Sequence, residues 1–233
     1  MIGAPKDNAI NNAENIAAYI DHTLLKPDAT PKEIDQLCEE ALRYKFYAVC
    51  VNSGRIAQCN AILEKTDVRI ACVVGFPLGA NDSAVKIYET TRALNLGASE
   101  IDMVLNIGAL KAKEYFFVEN EIHEIVRAAE GKIVKVILET SFLNTEEKVK
   151  ASQICLNAGA HFIKTSTGFG GGRATVEDIQ LIKKTIGNQA LIKASGGIKN
   201  LQFALDLIQA GANRLGTSSG VALVAGEEIK SGY

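Results

Sequence analysis

Short apolar runs alternate with amphipathic stretches along the whole chain. Eight of the runs read as buried strands: YIDHTL from Tyr19, FYAVCV from Phe46, VRIACVV from Val68, EIDMVL from Glu100, IVKVIL from Ile133, HFIKTS from His161, ALIKAS from Ala190 and NRLGTS from Asn213. They recur about every 20 to 35 residues, the length of one βα unit. The helices between them carry start signals. Thr30-Pro31-Lys32-Glu33 reads as a capping box with proline at the first helical position. Asn144 with Glu147, and Thr175 with Asp178, open later helices in the same way. The segments NLGASEI, NAGAHFI and QAGANRL each place Gly-Ala before a strand, at Gly97, Gly159 and Gly211. Glycine there can take the left-handed conformation that ends a helix and turns the chain into the strand. Eight parallel strands with intervening helices predict an α/β fold, a (β/α)8 TIM barrel formed by residues 1–233 as one domain. An open doubly wound sheet is the alternative, and the strand count favours the barrel.

Composition narrows the function. With 233 residues, 47% of them hydrophobic, the chain can bury a substantial core. A net charge of −2 without a basic run argues against a nucleic-acid partner. The opening MIGAPKDNAI lacks the pattern of a secretory signal, and no stretch is long and apolar enough to span a bilayer, so a cytoplasmic location is expected. Five cysteines without a CxxC pair read as free thiols of a reducing compartment. Three scattered histidines give no metal-ligand spacing, so neither a metal nor another cofactor is expected.

Polar residues interrupt the strands where a barrel carries its chemistry. These are Asp102 in EIDMVL, Lys135 in IVKVIL, Lys164 in HFIKTS and Lys193 in ALIKAS. Lys164 and Lys193 occupy matched places on consecutive strands, about 4.8 Å apart, so both ammonium groups can share one cavity. Burial and a like charge both lower a lysine pKa. A drop of ~3 units from ~10.4, about 4 kcal/mol, gives a substantial neutral fraction at pH 7 and so a nucleophile. Asp102 is then a proton shuttle or the counterion that orients one lysine. Lys135 and Glu139 are further inward candidates, Lys135 as electrostatic support. The competing reading makes all of these structural ion pairs. Gly196-Gly197 follows the seventh strand, and Gly216, Ser218 and Ser219 follow the eighth. Glycine backbone and serine hydroxyls at those two strand ends suit a phosphate group. The loop from Gly168 to Arg173 is placed to close over a ligand.

The chain resembles the deoxyribose-phosphate aldolase family almost from end to end. The resemblance rests on DHTLLKPDAT at Asp21, VVGFPLGA at Val73, EIDMVLNIGALK at Glu100, KVILET at Lys135, FIKTSTGF at Phe162, KASGGI at Lys193 and RLGTSSG at Arg214. It implies a metal-independent class I aldolase that reversibly cleaves 2-deoxy-D-ribose 5-phosphate into D-glyceraldehyde 3-phosphate and acetaldehyde. Lys164 then matches the Schiff-base lysine, Lys193 the lysine that perturbs it, and Asp102 the acid of the proton relay. Gly168, Gly196, Gly197, Gly216, Ser218 and Ser219 match phosphate-loop positions, and Thr23 and Thr167 match positions near the sugar hydroxyls. The family also implies a homodimer or higher homo-oligomer. Arg173 stands where relatives often have a second glycine, which implies a stiffer loop or an added phosphate contact. Some relatives use a terminal tyrosine for proton transfer; Tyr233 is either that group or part of a tail without a role. The remaining alternatives are another phosphate-binding barrel enzyme, such as an isomerase, and a sugar-phosphate sensor. Neither needs a second lysine beside the first.

Overall fold

A computed structural model describes residues 16–227. Eight parallel strands close into a barrel in sequence order. They are β1 (Ile20–Leu24), β2 (Ala48–Val51), β3 (Arg69–Val74), β4 (Glu100–Val104), β5 (Ile133–Ile137), β6 (Phe162–Lys164), β7 (Leu191–Ser195) and β8 (Arg214–Thr217). Each is one to three residues shorter than the apolar run that predicted it. The barrel shuts where β1 pairs with β8, with Ile20 opposite Leu215. Outside lie α1 (Pro31–Tyr44), α2 (Ile56–Leu63), α3 (Ser83–Asn95), α4 (Ile107–Lys111), α5 (Tyr115–Ala128), α6 (Thr145–Asn157), α7 (Val176–Ile186), α8 (Leu201–Gln209) and α9 (Gly220–Ala225).

The predicted start signals form. Thr30 and Asn144 make capping boxes with Glu33 and Glu147, and the Thr175 side chain accepts from the Asp178 N–H. Each bond satisfies a backbone donor that the first helical turn would otherwise leave unpaired. The three Gly-Ala joints have φ of 109° at Gly97, 82° at Gly159 and 121° at Gly211. A side chain rarely adopts such values, so glycine makes the exit from α3, α6 and α8 into the next strand possible.

The strands alternate, although their sequences look continuously apolar. Ile101, Met103, Val134, Val136, Ile163, Ile192, Ala194 and Leu215 face outward into the core under the helices. That shell is the main hydrophobic core. The barrel interior differs from the usual stack of branched apolar residues. On the β2–β3 side it holds a small apolar cluster of Cys50, Ala71, Val73 and Leu25, with Phe76 against it. Towards β4–β8 and β1 the buried side chains include Phe162 and the charged Asp21, Glu100, Asp102, Lys135, Lys164, Lys193 and Arg214. All five cysteines are buried free thiols.

Candidate active site

Alternation explains how one ion network forms from six strands. A charged residue on the inner side of a strand finds its partners on neighbouring strands, because the apolar residues beside it point away into the helices. Asp102 sits opposite Lys135 across the β4–β5 ladder, and Lys164 sits opposite Lys193 across β6–β7. Asp102 is the hub. Its Oδ1 accepts from Lys135 Nζ at 2.7 Å, and its Oδ2 accepts from both Lys164 Nζ and Lys193 Nζ at 2.7 Å. Lys135 also reaches Glu100 at 2.5 Å. Lys193 pairs with Asp21, and Arg214 pairs with Asp21 and, at 3.5 Å, with Glu100.

The charge count singles out one residue. Among the described residues the network joins four cations, Lys135, Lys164, Lys193 and Arg214, to three carboxylates, Asp21, Glu100 and Asp102. One proton too many is therefore buried if every group is charged. Lys135, Lys193 and Arg214 each touch two or more carboxylates, whereas Lys164 touches only Asp102. Burial pushes the Lys164 pKa down, Asp102 opposes the shift, and the Lys193 charge adds to it; the net direction is downward. Burial also works against the charge of Lys193, but Asp102 and Asp21 outweigh it and hold that pKa above its usual value. Lys135 is raised for the same reason, with Asp102 and Glu100 overcoming burial. Asp102 is driven well below the usual carboxylate range because Lys135, Lys164 and Lys193 overcome its desolvation. The lysine most easily made neutral is thus Lys164, and a neutral amine is a nucleophile toward a carbonyl.

Lys164 is also the member of the network that meets the cavity. A cavity of about 220 Å³ opens at the C-terminal ends of the strands, with Lys164 in its wall. Thr23, Thr167, Gly168, Gly196, Gly197, Gly216, Ser218 and Ser219 line it, together with Leu25, Ser195, Arg173 and Lys199. Asp102, Lys193 and Lys135 lie beneath, fully buried. Gly216 has a second physical reason to be glycine: a Cβ there would stand 3.0 Å from Lys193 Cε and from Ser195 Cβ. Its bare backbone leaves the path along which Lys193 reaches Asp102. Arg173 packs over Gly197, where a Cβ would meet the arginine Cβ at 2.8 Å. Phe169, in the loop above Lys164, makes an edge-on contact with Phe76, with ring centroids 5.3 Å apart. Among the described residues no cluster of His, Cys, Asp and Glu suits a metal ion. Tyr233 lies outside the described residues.

Sequence reasoning missed Asp21, Glu100 and Arg214. Their signal was present: Glu100 precedes Asp102 by two, so both face the same side of β4. Asp21 and Arg214 sit just as deep in their runs. Glu139 is buried but stands apart from the ion network, beyond the end of β5.

Comparison with known proteins agrees with this geometry. Residues 15–225 match the model of the DeoC/LacD family aldolases. A deoxyribose-phosphate aldolase of Bdellovibrio bacteriovorus is 51% identical over 94% of this chain and 99% of its own length. That of Thermococcus kodakarensis is 54% identical over 92% of this chain and 98% of its own. The solved structure of the tetrameric deoxyribose phosphate aldolase from Aeropyrum pernix superposes with a TM-score of 0.87, at 31% identity, covering 93% of this chain and 92% of that one. With the same barrel, one electrostatically distinct lysine at its mouth and relatives above half identity, this chain belongs to the DeoC/LacD family of aldolases.

Proposed function

We propose that this protein cleaves 2-deoxy-D-ribose 5-phosphate reversibly to acetaldehyde and D-glyceraldehyde 3-phosphate, with Lys164 as the Schiff-base nucleophile. The observation that carries the assignment is the unequal charge count. Lys164 is the one cation of the network with a single carboxylate partner, and it lines the cavity. Its neutral Nζ adds to the C1 aldehyde of the open-chain sugar, and loss of water gives an iminium ion. The C2–C3 bond then breaks, because only that electron pair can flow into the iminium. The C3 hydroxyl loses its proton as C3 becomes the aldehyde of the three-carbon product. Asp102 takes this proton through a water. A carboxylate whose basicity three lysines suppress holds a proton only briefly, and the proton passes on to C2 of the enamine. Water then hydrolyses the acetaldehyde iminium and frees Lys164. Lys193 stays cationic throughout and keeps Lys164 from being protonated, while Lys135 holds the far oxygen of Asp102.

The phosphate is assigned to the cup made by Gly196, Gly197, Gly216, Ser218 and Ser219, with Gly168, Arg173 and Lys199 also in the cavity lining. Glycine exposes backbone N–H groups and serine adds hydroxyl donors, which suits a dianion. Thr23 and Thr167 are assigned to the sugar hydroxyls. Self-association as a homodimer or larger assembly is supported by the tetrameric Aeropyrum relative. The five buried free thiols support a reducing, cytoplasmic setting, and no described helix is long and apolar enough to cross a membrane. The test is to treat the protein with acetaldehyde and borohydride and map the adduct by peptide mass. An adduct on Lys164 is expected; an unmodified Lys164 under turnover conditions would sink the assignment.

A further inference from the structure

Glu139 has a set of properties that barrel closure does not call for. It follows β5 with φ 52° and ψ 66°, a left-handed backbone uncommon for a residue with a side chain. It is 1% exposed, yet it has no ion-pair partner among the described residues. Its Oε1 also lacks a hydrogen-bond partner there, which is a costly state for a buried oxygen. Its Oε2 accepts two hydrogen bonds, both from Thr167: one from the backbone N–H at 3.2 Å and one from the hydroxyl. Gly170 lies against the same carboxylate, where a Cβ would stand 2.9 Å from both Cδ and Oε2.

Thr167 lines the cavity three residues after Lys164. A hydroxyl has one proton and two lone pairs. The proton goes to Glu139, and one lone pair takes the Phe169 N–H at 3.0 Å. One lone pair remains, so toward a ligand this hydroxyl can only accept. We propose that Glu139 is a positioning residue: it commits Thr167 to accepting a hydrogen bond from a hydroxyl of the sugar phosphate. This rests on the reading of the cavity as the sugar-phosphate site, and it adds a determinant for a hydroxylated substrate that acetaldehyde does not need.

The test separates the two halves of the chemistry. Acetaldehyde trapping on Lys164 requires no sugar hydroxyl, whereas cleavage of the sugar phosphate does. E139A should lower kcat/KM for cleavage about 10-fold or more, mainly through KM, with the trapping rate within about twofold of wild type. E139Q keeps an oxygen that can accept both bonds and should recover most of the loss. The E139A/T167V pair should be no worse than T167V alone, because Glu139 acts through that hydroxyl. G170A sets a methyl group against the carboxylate and should reproduce the selective loss; it carries the test if E139A does not fold. Equal slowing of trapping and cleavage, no change in either, or multiplying effects in the double variant would each overturn the proposal. Failure of the wild type to trap acetaldehyde would overturn the Schiff-base assignment instead.

Discussion

Replacing Lys193 by methionine removes a charge while keeping a similar length of apolar chain, and the network predicts its effect on a different residue. Lys164 Nζ and Lys193 Nζ each lie 2.7 Å from the same Asp102 oxygen, so they are no more than about 5.4 Å apart. At an effective dielectric constant of about 20, two unit charges at that range repel by about 3 kcal/mol. Removing one raises the pKa of the other by about 2 units. The substitution also leaves Asp21 and Asp102 short of a cation, which acts in the same direction, so 2 units is a lower figure. The assay is the rate of borohydride trapping with acetaldehyde, measured against pH. In K193M the midpoint should move upward by about 2 pH units, and at a fixed pH below both midpoints trapping should slow about 100-fold. The variant loses one partner of a buried pair, at a cost of about 3–5 kcal/mol, so its melting curve is read alongside. A folded K193M with the wild-type pH profile would refute the electrostatic argument.

Lys164→Met should abolish the adduct yet melt no lower than wild type, because it removes the unbalanced cation and keeps the volume; a clear fall in Tm would show that Lys164 is a structural cation. Asp102→Asn should cost about 3–5 kcal/mol in urea unfolding, since three buried lysines lose the negative charge they share. The folded pKa of Asp102 is depressed, so its contribution is complete above the unfolded value of about 3.9 and disappears as pH falls through the folded one. Acid unfolding of D102N should therefore depend less on pH below about 4 than that of wild type, and an equal dependence would contradict the hub. Gly216→Ala places a Cβ 3.0 Å from Lys193 Cε, so the trapping midpoint should rise by less than in K193M; an unmoved midpoint would deny Gly216 its part in admitting Lys193.

Much of this protein was legible along the chain, because local rules decided it. The eight apolar runs became the eight strands, the capping boxes at Thr30 and Asn144 formed, and the Gly-Ala joints took positive φ. Each of those features depends on residues within a few positions of one another. The matched places of Lys164 and Lys193 were legible too, since consecutive parallel strands repeat the same relation to the barrel axis. The family motifs then pointed to the same residues and to the cavity rim that the structure brings together.

Only closure of the barrel decided the charge states. Asp21 on β1 and Arg214 on β8 are 193 positions apart, and they meet because those two strands pair to close the barrel. Without them Lys193 has no second carboxylate, and the count of four cations to three anions cannot be made. The same holds for Glu139, which the chain places 28 positions before the hydroxyl it binds and which depends on a backbone turn that no periodicity announces. Strand identity comes from alternating burial, which is local. The pKa of a lysine comes from every charge within several ångströms, and only the folded chain sets which charges those are.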